Sequence, residues 1–163
     1  MIKVTKIKEE TKEFNRIYYK LEQVKTYEPN IVNKIIAQTK GLIATGELYG
    51  ELGHNNGLEI NLYKVTHKII SIEKLNDTDI KIISHVFPIS NVTNTLLPEL
   101  IACVENKTYE LHLSYTLRGC GNDYTDDFHV ITCDLADENN VGKNPIFLSK
   151  EISNTITKEQ ALL

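Results

Sequence analysis

The sequence has no tryptophan, a single methionine and only three cysteines. Cys103, Cys120 and Cys133 are odd in number, contain no Cys-x-x-Cys pair and have no histidine at zinc-finger spacing, so neither a disulfide scaffold nor a structural zinc site is expected. The opening stretch Met1-Ile2-Lys3-Val4-Thr5-Lys6 alternates charged with apolar residues and lacks the apolar core of a signal peptide. No apolar run approaches the ~18 residues of a membrane span, so no membrane association is expected. The Asn-x-Thr triplets at Asn76, Asn91 and Asn106 are accordingly read as chance, and a reducing intracellular compartment is expected. An excess of basic residues is also missing: 18 Lys and Arg stand against 22 Asp and Glu, for a net charge of −4, which excludes the broad basic footprint of a nucleic-acid coat.

What remains is ordinary globular material. Hydrophobic residues make up 41% of the 163 positions and charged residues 25%. A chain of this length forms one domain and buries roughly 70% of its unfolded surface, so its core needs no metal or cofactor. There is no internal repeat, low-complexity run or Pro/Gly/Ser linker. The charged residues 1–16 are expected to form an arm, 17–148 the domain, and the polar residues 149–163 a tail.

Periodicity predicts the elements between. Ile17 to Val24 is rich in β-formers. Glu28-Pro29-Asn30 opens a helix with proline in the first turn, an apolar stripe of Ile31, Val32, Ile35 and Ile36, and a stop expected at Gly41. Leu62–Lys74 and Asp79–Phe87 flank the polar turn Asn76-Asp77-Thr78 and predict a long hairpin. A second helix is expected near Asn94 or Thr95, with Leu96, Leu97, Leu100, Ile101 and Val104 on its apolar side. The run Tyr109–Arg118 alternates: Leu111, Leu113, Tyr115 and Leu117 on one face, His112, Ser114, Thr116 and Arg118 on the other. A glycine turn is expected at Gly119-Cys120-Gly121, followed by strands over Phe128–Leu135 and Ile146–Leu148. The predicted order is β-α-β-β-α-β-β, an α+β single domain in which two helices pack on a curved antiparallel sheet or small barrel.

Two places have the residue types that hydrolytic chemistry requires. Tyr49 to Gly57 brackets His54 with glycines. The polar face of the Tyr109–Arg118 strand leads into Gly119-Cys120-Gly121, whose backbone N–H groups suit an oxyanion hole. Alternating polar residues on a strand also describe a plain solvated face, a loop histidine is more often structural than catalytic, and Arg118 suits an ion pair. His67 and His85, on opposite arms of the hairpin, are read as structural rather than as metal ligands.

The two places occur in the order of a known pattern. From about Tyr27 to Asn140 the chain resembles the prohead (procapsid) maturation proteases of large tailed phages, distant relatives of the herpesvirus assembly proteases. The likeness begins with the step into a helix, Tyr27-Glu28-Pro29-Asn30-Ile31-Val32. It continues with Gly50-Glu51-Leu52-Gly53-His54, matching that family's Gly-Glu-Leu-x-His. After the hairpin and helix, Thr116-Leu117-Arg118-Gly119-Cys120-Gly121 stands where the family has Ser-Ser-Arg-Gly-x-Gly, and Thr132 to Asp137 loosely matches its Asp-rich turn. The resemblance implies a prohead-protease-like fold, with His54 in the place of the general base and Arg118, Gly119 and Gly121 retained.

The departures fall on the chemistry. The catalytic serine position is Thr116, the second serine is Leu117, and Asn55 replaces the usual proline. A threonine methyl restricts χ1 and crowds an attack trajectory, and the threonine nucleophiles that do work use an N-terminal amine as base. Ser114, on the same face, is an alternative nucleophile, but displaced by about 6.6 Å along the strand. The third triad member is open among Asp126, Asp127, Asp134 and His112. The expectation is therefore a non-catalytic, prohead-protease-like auxiliary protein of a phage head, located in the virion and, during assembly, the host cytoplasm. Its expected partners are the major capsid protein or other head proteins and further copies of itself in an oligomer or symmetric shell. The alternative is an active head-maturation protease that cleaves scaffold and capsid precursors. A protein lining DNA would be basic, so the mild acidity points to an exterior or shell-embedded position without direct nucleic-acid contact.

Overall fold

The structure is a computed structural model and describes residues 1–53, 60–88, 94–120, 129–139 and 146–148. Its first strand lies where an arm was expected. β1 (Ile2–Glu10) pairs antiparallel with β2 (Asn15–Thr26) from Lys3↔Glu22 to Glu10↔Asn15. Ile2 and Val4 anchor β1 because they alternate inward and are 0% and 2% exposed, so the N-terminal residues are part of the domain. Charge on the intervening positions hid this strand from the sequence. The tail, residues 149–163, lies outside the described residues.

α1 (Pro29–Ala44) buries Ile31, Val32 and Ile35, as its stripe requires. It runs through Gly41 and stops at Gly46, whose φ of 70° is the left-handed conformation glycine adopts freely. The Gly46 N–H donates to the Ile43 carbonyl and the Glu47 N–H to that of Leu42, which pairs off the last helical carbonyls. β3 (Tyr49–Glu51), β4 (Val65–Lys74) and β5 (Asp79–Val86) follow. The predicted turn closes the β4–β5 hairpin, with the Asn76 side chain accepting from the N–H groups of Thr78 and Asp79.

α2 (Leu97–Glu105) starts slightly later than expected. Asn94 forms the turn before it, accepting from the Leu96 N–H and donating to the Thr66 carbonyl, while Ile101 faces outward. The predicted Tyr109–Arg118 strand is split at His112. β6 (Glu110–Leu111) joins β1, whereas β7 (Leu113–Cys120) joins β8 (His129–Asp137) and, in parallel, β9 (Ile146–Leu148).

Among the described residues the strands make a six-stranded sheet in the order β3-β4-β5-β2-β1-β6 and a three-stranded sheet in the order β8-β7-β9. The smaller sheet meets both edges of the larger. β6 runs directly into β7, and at the other edge Leu52 bridges Leu135, with the Gly53 N–H donating 2.7 Å to the Leu135 carbonyl. The strands thus curl strongly around one core, the expected α+β architecture. Tyr115 spans that core from β7: its phenol donates to the Leu21 carbonyl at 3.1 Å and accepts from Ser84 at 2.6 Å. Burial, partly opposed by the Ser84 hydrogen bond, pushes this phenol's pKa upward, so it stays protonated.

Candidate functional site

The curling of the sheet brings the two sequence motifs together. Cross-strand register sets Thr116 opposite Asp134 and Arg118 opposite Thr132, so these four share one face of β7–β8. The end of β3 runs alongside β8 and adds Glu51. The Arg118 guanidinium donates to the Glu51 carboxylate at 2.6 Å, to Asp134 at 2.9 Å and to the Thr132 hydroxyl at 3.1 Å. The other Asp134 oxygen accepts from the Glu51 backbone N–H at 2.9 Å. Arg118, Glu51 and Asp134 are each at most 2% exposed. Charge-assisted, multiply hydrogen-bonded geometry is what offsets the desolvation of such a buried cluster. The polar strand face is therefore buried and committed to joining the two sheets, where a solvated face was one of the sequence expectations.

The preceding residue shows why this motif begins with glycine. Gly50 lies opposite His67 on β4. A Cβ at Gly50 would overlap both the Cys133 carbonyl oxygen and the His67 ring. His67 is itself fixed: Nε2–H donates 2.7 Å to the Cys133 carbonyl, and Nδ1 accepts from the Thr66 hydroxyl at 2.8 Å. Burial pulls its pKa down to about 4, partly opposed by the carbonyl and Asp134. With both ring nitrogens occupied and the ring neutral, His67 is a structural group, in line with the sequence reading. Gly50→Ala should lower stability by about 1–3 kcal/mol, read as a shift in the urea midpoint at unchanged slope.

The expected nucleophile positions differ in their surroundings. Thr116 is 4% exposed, and among the described residues its hydroxyl has no hydrogen-bond partner. Ser114 is held from β2: Lys25 Nζ donates to it at 3.0 Å, and it donates to Gln23 Oε1 at 3.2 Å. The same two side chains satisfy the backbone of the next residue, Lys25 donating to the Tyr115 carbonyl and Gln23 accepting from the Tyr115 N–H. Among the described residues this stretch of β7 has β8 on one side only, so Gln23 and Lys25 stand in for a neighbouring strand. Burial lowers the Lys25 pKa. Neither residue was singled out from the sequence, although alternation with Tyr19 and Leu21 places both on the inward face of β2, and an inward lysine is a legible signal.

The glycine turn does not begin at Gly119. Gly119 and Cys120 continue β7, with a bulge between Arg118 and Gly119 against β8 and Phe147 of β9 opposite Gly119 on the other side. Flanked by two strands, this backbone runs in ladders as far as Cys120. His54 and Gly121 lie outside the described residues, as do Asp126 and Asp127. Of the other candidates for a third triad member, Asp134 is locked to Arg118, and His112 is an exposed partner of Glu138 at 2.6 Å. Among the described residues no group of three or more His, Cys, Asp or Glu is placed to hold a metal ion, and no helix is long and apolar enough to cross a membrane.

No family model matches this chain, and no curated protein matches it. Among solved structures, it is similar to the structure of the bacteriophage T4 capsid assembly protease, gp21. The TM-score is 0.54 over 83% of this chain and 95% of that one, at 10% sequence identity. At that identity the likeness is one of fold, and it agrees with the prohead-protease-like architecture expected from the motifs.

Proposed function

We propose that this chain is a structural protein of a phage head, built on the prohead-protease fold and binding capsid subunits without cleaving them. The observation that supports this most is the use made of the two motifs. Gly50 is required by close packing, and Glu51 and Arg118 form a buried lock with Asp134. Gly50, Glu51 and Arg118 thus each have a role in the architecture. At the catalytic serine position stands a threonine with an extra methyl and 4% exposure. The T4 protein of the same fold acts in capsid assembly, which supports head proteins as partners and copies of this chain as neighbours.

Co-expression with the scaffold and major capsid precursors tests the proposal. The precursors should stay intact, and the chain should be recovered whole and in stoichiometric amount from mature particles. Cleavage that disappears in both Thr116→Ala and His54→Ala would establish the protease reading instead, with the unpartnered Thr116 hydroxyl as nucleophile.

A further inference from the structure

We infer that the free edge of β1, from Thr5 to Glu10, is a docking site for an extended acidic segment of another protein, which adds to the sheet as a further strand. β2 covers one side of β1 as far as Glu10, but on the other side β6 pairs only with Ile2 and Lys3. The last contact on that side is the Val4 N–H, donating 2.8 Å to the Tyr109 carbonyl. Backbone direction alternates along a strand, so the N–H and C=O groups of Lys6 and Lys8 point outward on the side of Val4, while Thr5, Ile7 and Glu9 face β2. No described residue pairs with the outward groups.

The edge is held in place before any partner arrives. β2 leaves its other neighbour, β5, at Tyr19↔Val86, so the outer half of the β1–β2 hairpin projects from the sheet. Cross-links stiffen this projection. Arg16 pairs with Glu9, Tyr18 donates to Glu9 at 2.8 Å, and the Arg16 guanidinium lies 5.2–5.8 Å from the Phe14, Tyr18 and Phe87 rings. Thr11 Oγ1 accepts from the Phe14 N–H across the turn. A prepared edge spares an incoming strand part of its ordering cost.

Charge selects the occupant. The Lys6 and Lys8 side chains lie on one face, so carboxylates at alternate positions of an antiparallel partner would fall opposite both. A second copy of β1 fits poorly. Setting Lys6 against Lys8 of the copy, or Lys6 against itself, places like charges face to face, and with Lys8 against itself the two Lys6–Glu10 pairs still flank a lysine clash at the centre. The lysines therefore act against self-association while favouring an acidic strand. This reading rests on the open backbone edge and is independent of whether the chain cleaves anything.

An octapeptide alternating glutamate with valine, added to the full chain, tests it. The peptide should bind, slow the backbone amide exchange of Lys6 and Lys8, and leave that of Ile7, already paired to β2, unchanged. The lysine-valine counterpart should not bind. Lys8→Pro removes an outward N–H without touching the β2 ladder and should weaken binding about tenfold at an unchanged urea midpoint. The double change Lys6→Glu and Lys8→Glu should reverse the preference toward the basic peptide, which keeps the test decisive should the proline variant misfold. Binding without protection of Lys6 and Lys8, or equal binding by a folded Lys8→Pro, would overturn strand addition in favour of surface charge alone. No binding of the acidic peptide would also overturn it.

Discussion

Arg118→Ala should destabilise this protein by about 3–5 kcal/mol, a large part of the roughly 5–15 kcal/mol that holds a typical domain together. The loss is not that of a surface ion pair, because Glu51 and Asp134 remain behind, both 2% exposed, without the guanidinium they face. Two carboxylates then share a buried site, and one must take up a proton or the sheets must part to admit water. Arg118→Lys should recover only part of the loss. A lysine ammonium offers a point charge, whereas the arginine fork reaches Glu51, Asp134 and Thr132 together. The measurement is equilibrium unfolding in urea, with the alanine midpoint lowered by about 2 M. A shift as small as that of an exposed pair would mean the lock does not join the two sheets.

The second large effect is on pH. His67 is neutral and buried in the folded protein, with its pKa lowered from 6.5 to about 4. Above pH 6.5 neither folded nor unfolded chain protonates this ring, and its full contribution is present. As the pH falls from 6.5 to about 4 the unfolded chain takes up a proton that the folded one refuses, so stability declines with falling pH across that window. The decline attributable to this histidine is about 3 kcal/mol, and it levels off once the folded ring also titrates. Glu9, Glu22, Asp79 and Glu138 have lowered pKa values from their own partners and add acid sensitivity of the same sign. The comparison that isolates His67 is therefore unfolding free energy against pH for the natural protein and His67→Gln. The natural protein should lose more stability between pH 6.5 and 4, and parallel curves would contradict the buried neutral ring.

Some of this architecture was legible because local rules govern it. Proline in the first turn, the isoleucine stripe of α1 and the Asn76-Asp77-Thr78 turn depend on neighbours a few residues away, and all were read correctly. The stop of α1 was misread because two glycines compete for it. Gly41 is compatible with a helix interior, and only Gly46 takes the left-handed conformation. β1 was missed because its lysines and glutamates look like a solvated arm, while its inward pair, Ile2 and Val4, is too short to stand out. The break at His112 was also invisible, since alternation continues through it even as the strand changes sheets.

The candidate site divides in the same way. Residue types and order placed Gly50, Glu51, Thr116 and Arg118 in one pattern, but their roles depend on partners far along the chain. Arg118 meets Glu51 across 67 positions of sequence, and Lys25 meets Ser114 across 89. The sequence by itself determined the α+β class, the two helices and the central hairpin. Only the tertiary structure decided that Arg118 is a buried lock, that Gly119 belongs to a strand and that, among the described residues, nothing pairs with the outer edge of β1 beyond Val4. Side-chain alternation states which residues share a face, whereas burial and pairing depend on which other face closes over it. The scarcity of cysteine fits this outcome: in place of covalent cross-links, a buried guanidinium between two carboxylates holds the edges of the curled sheet together.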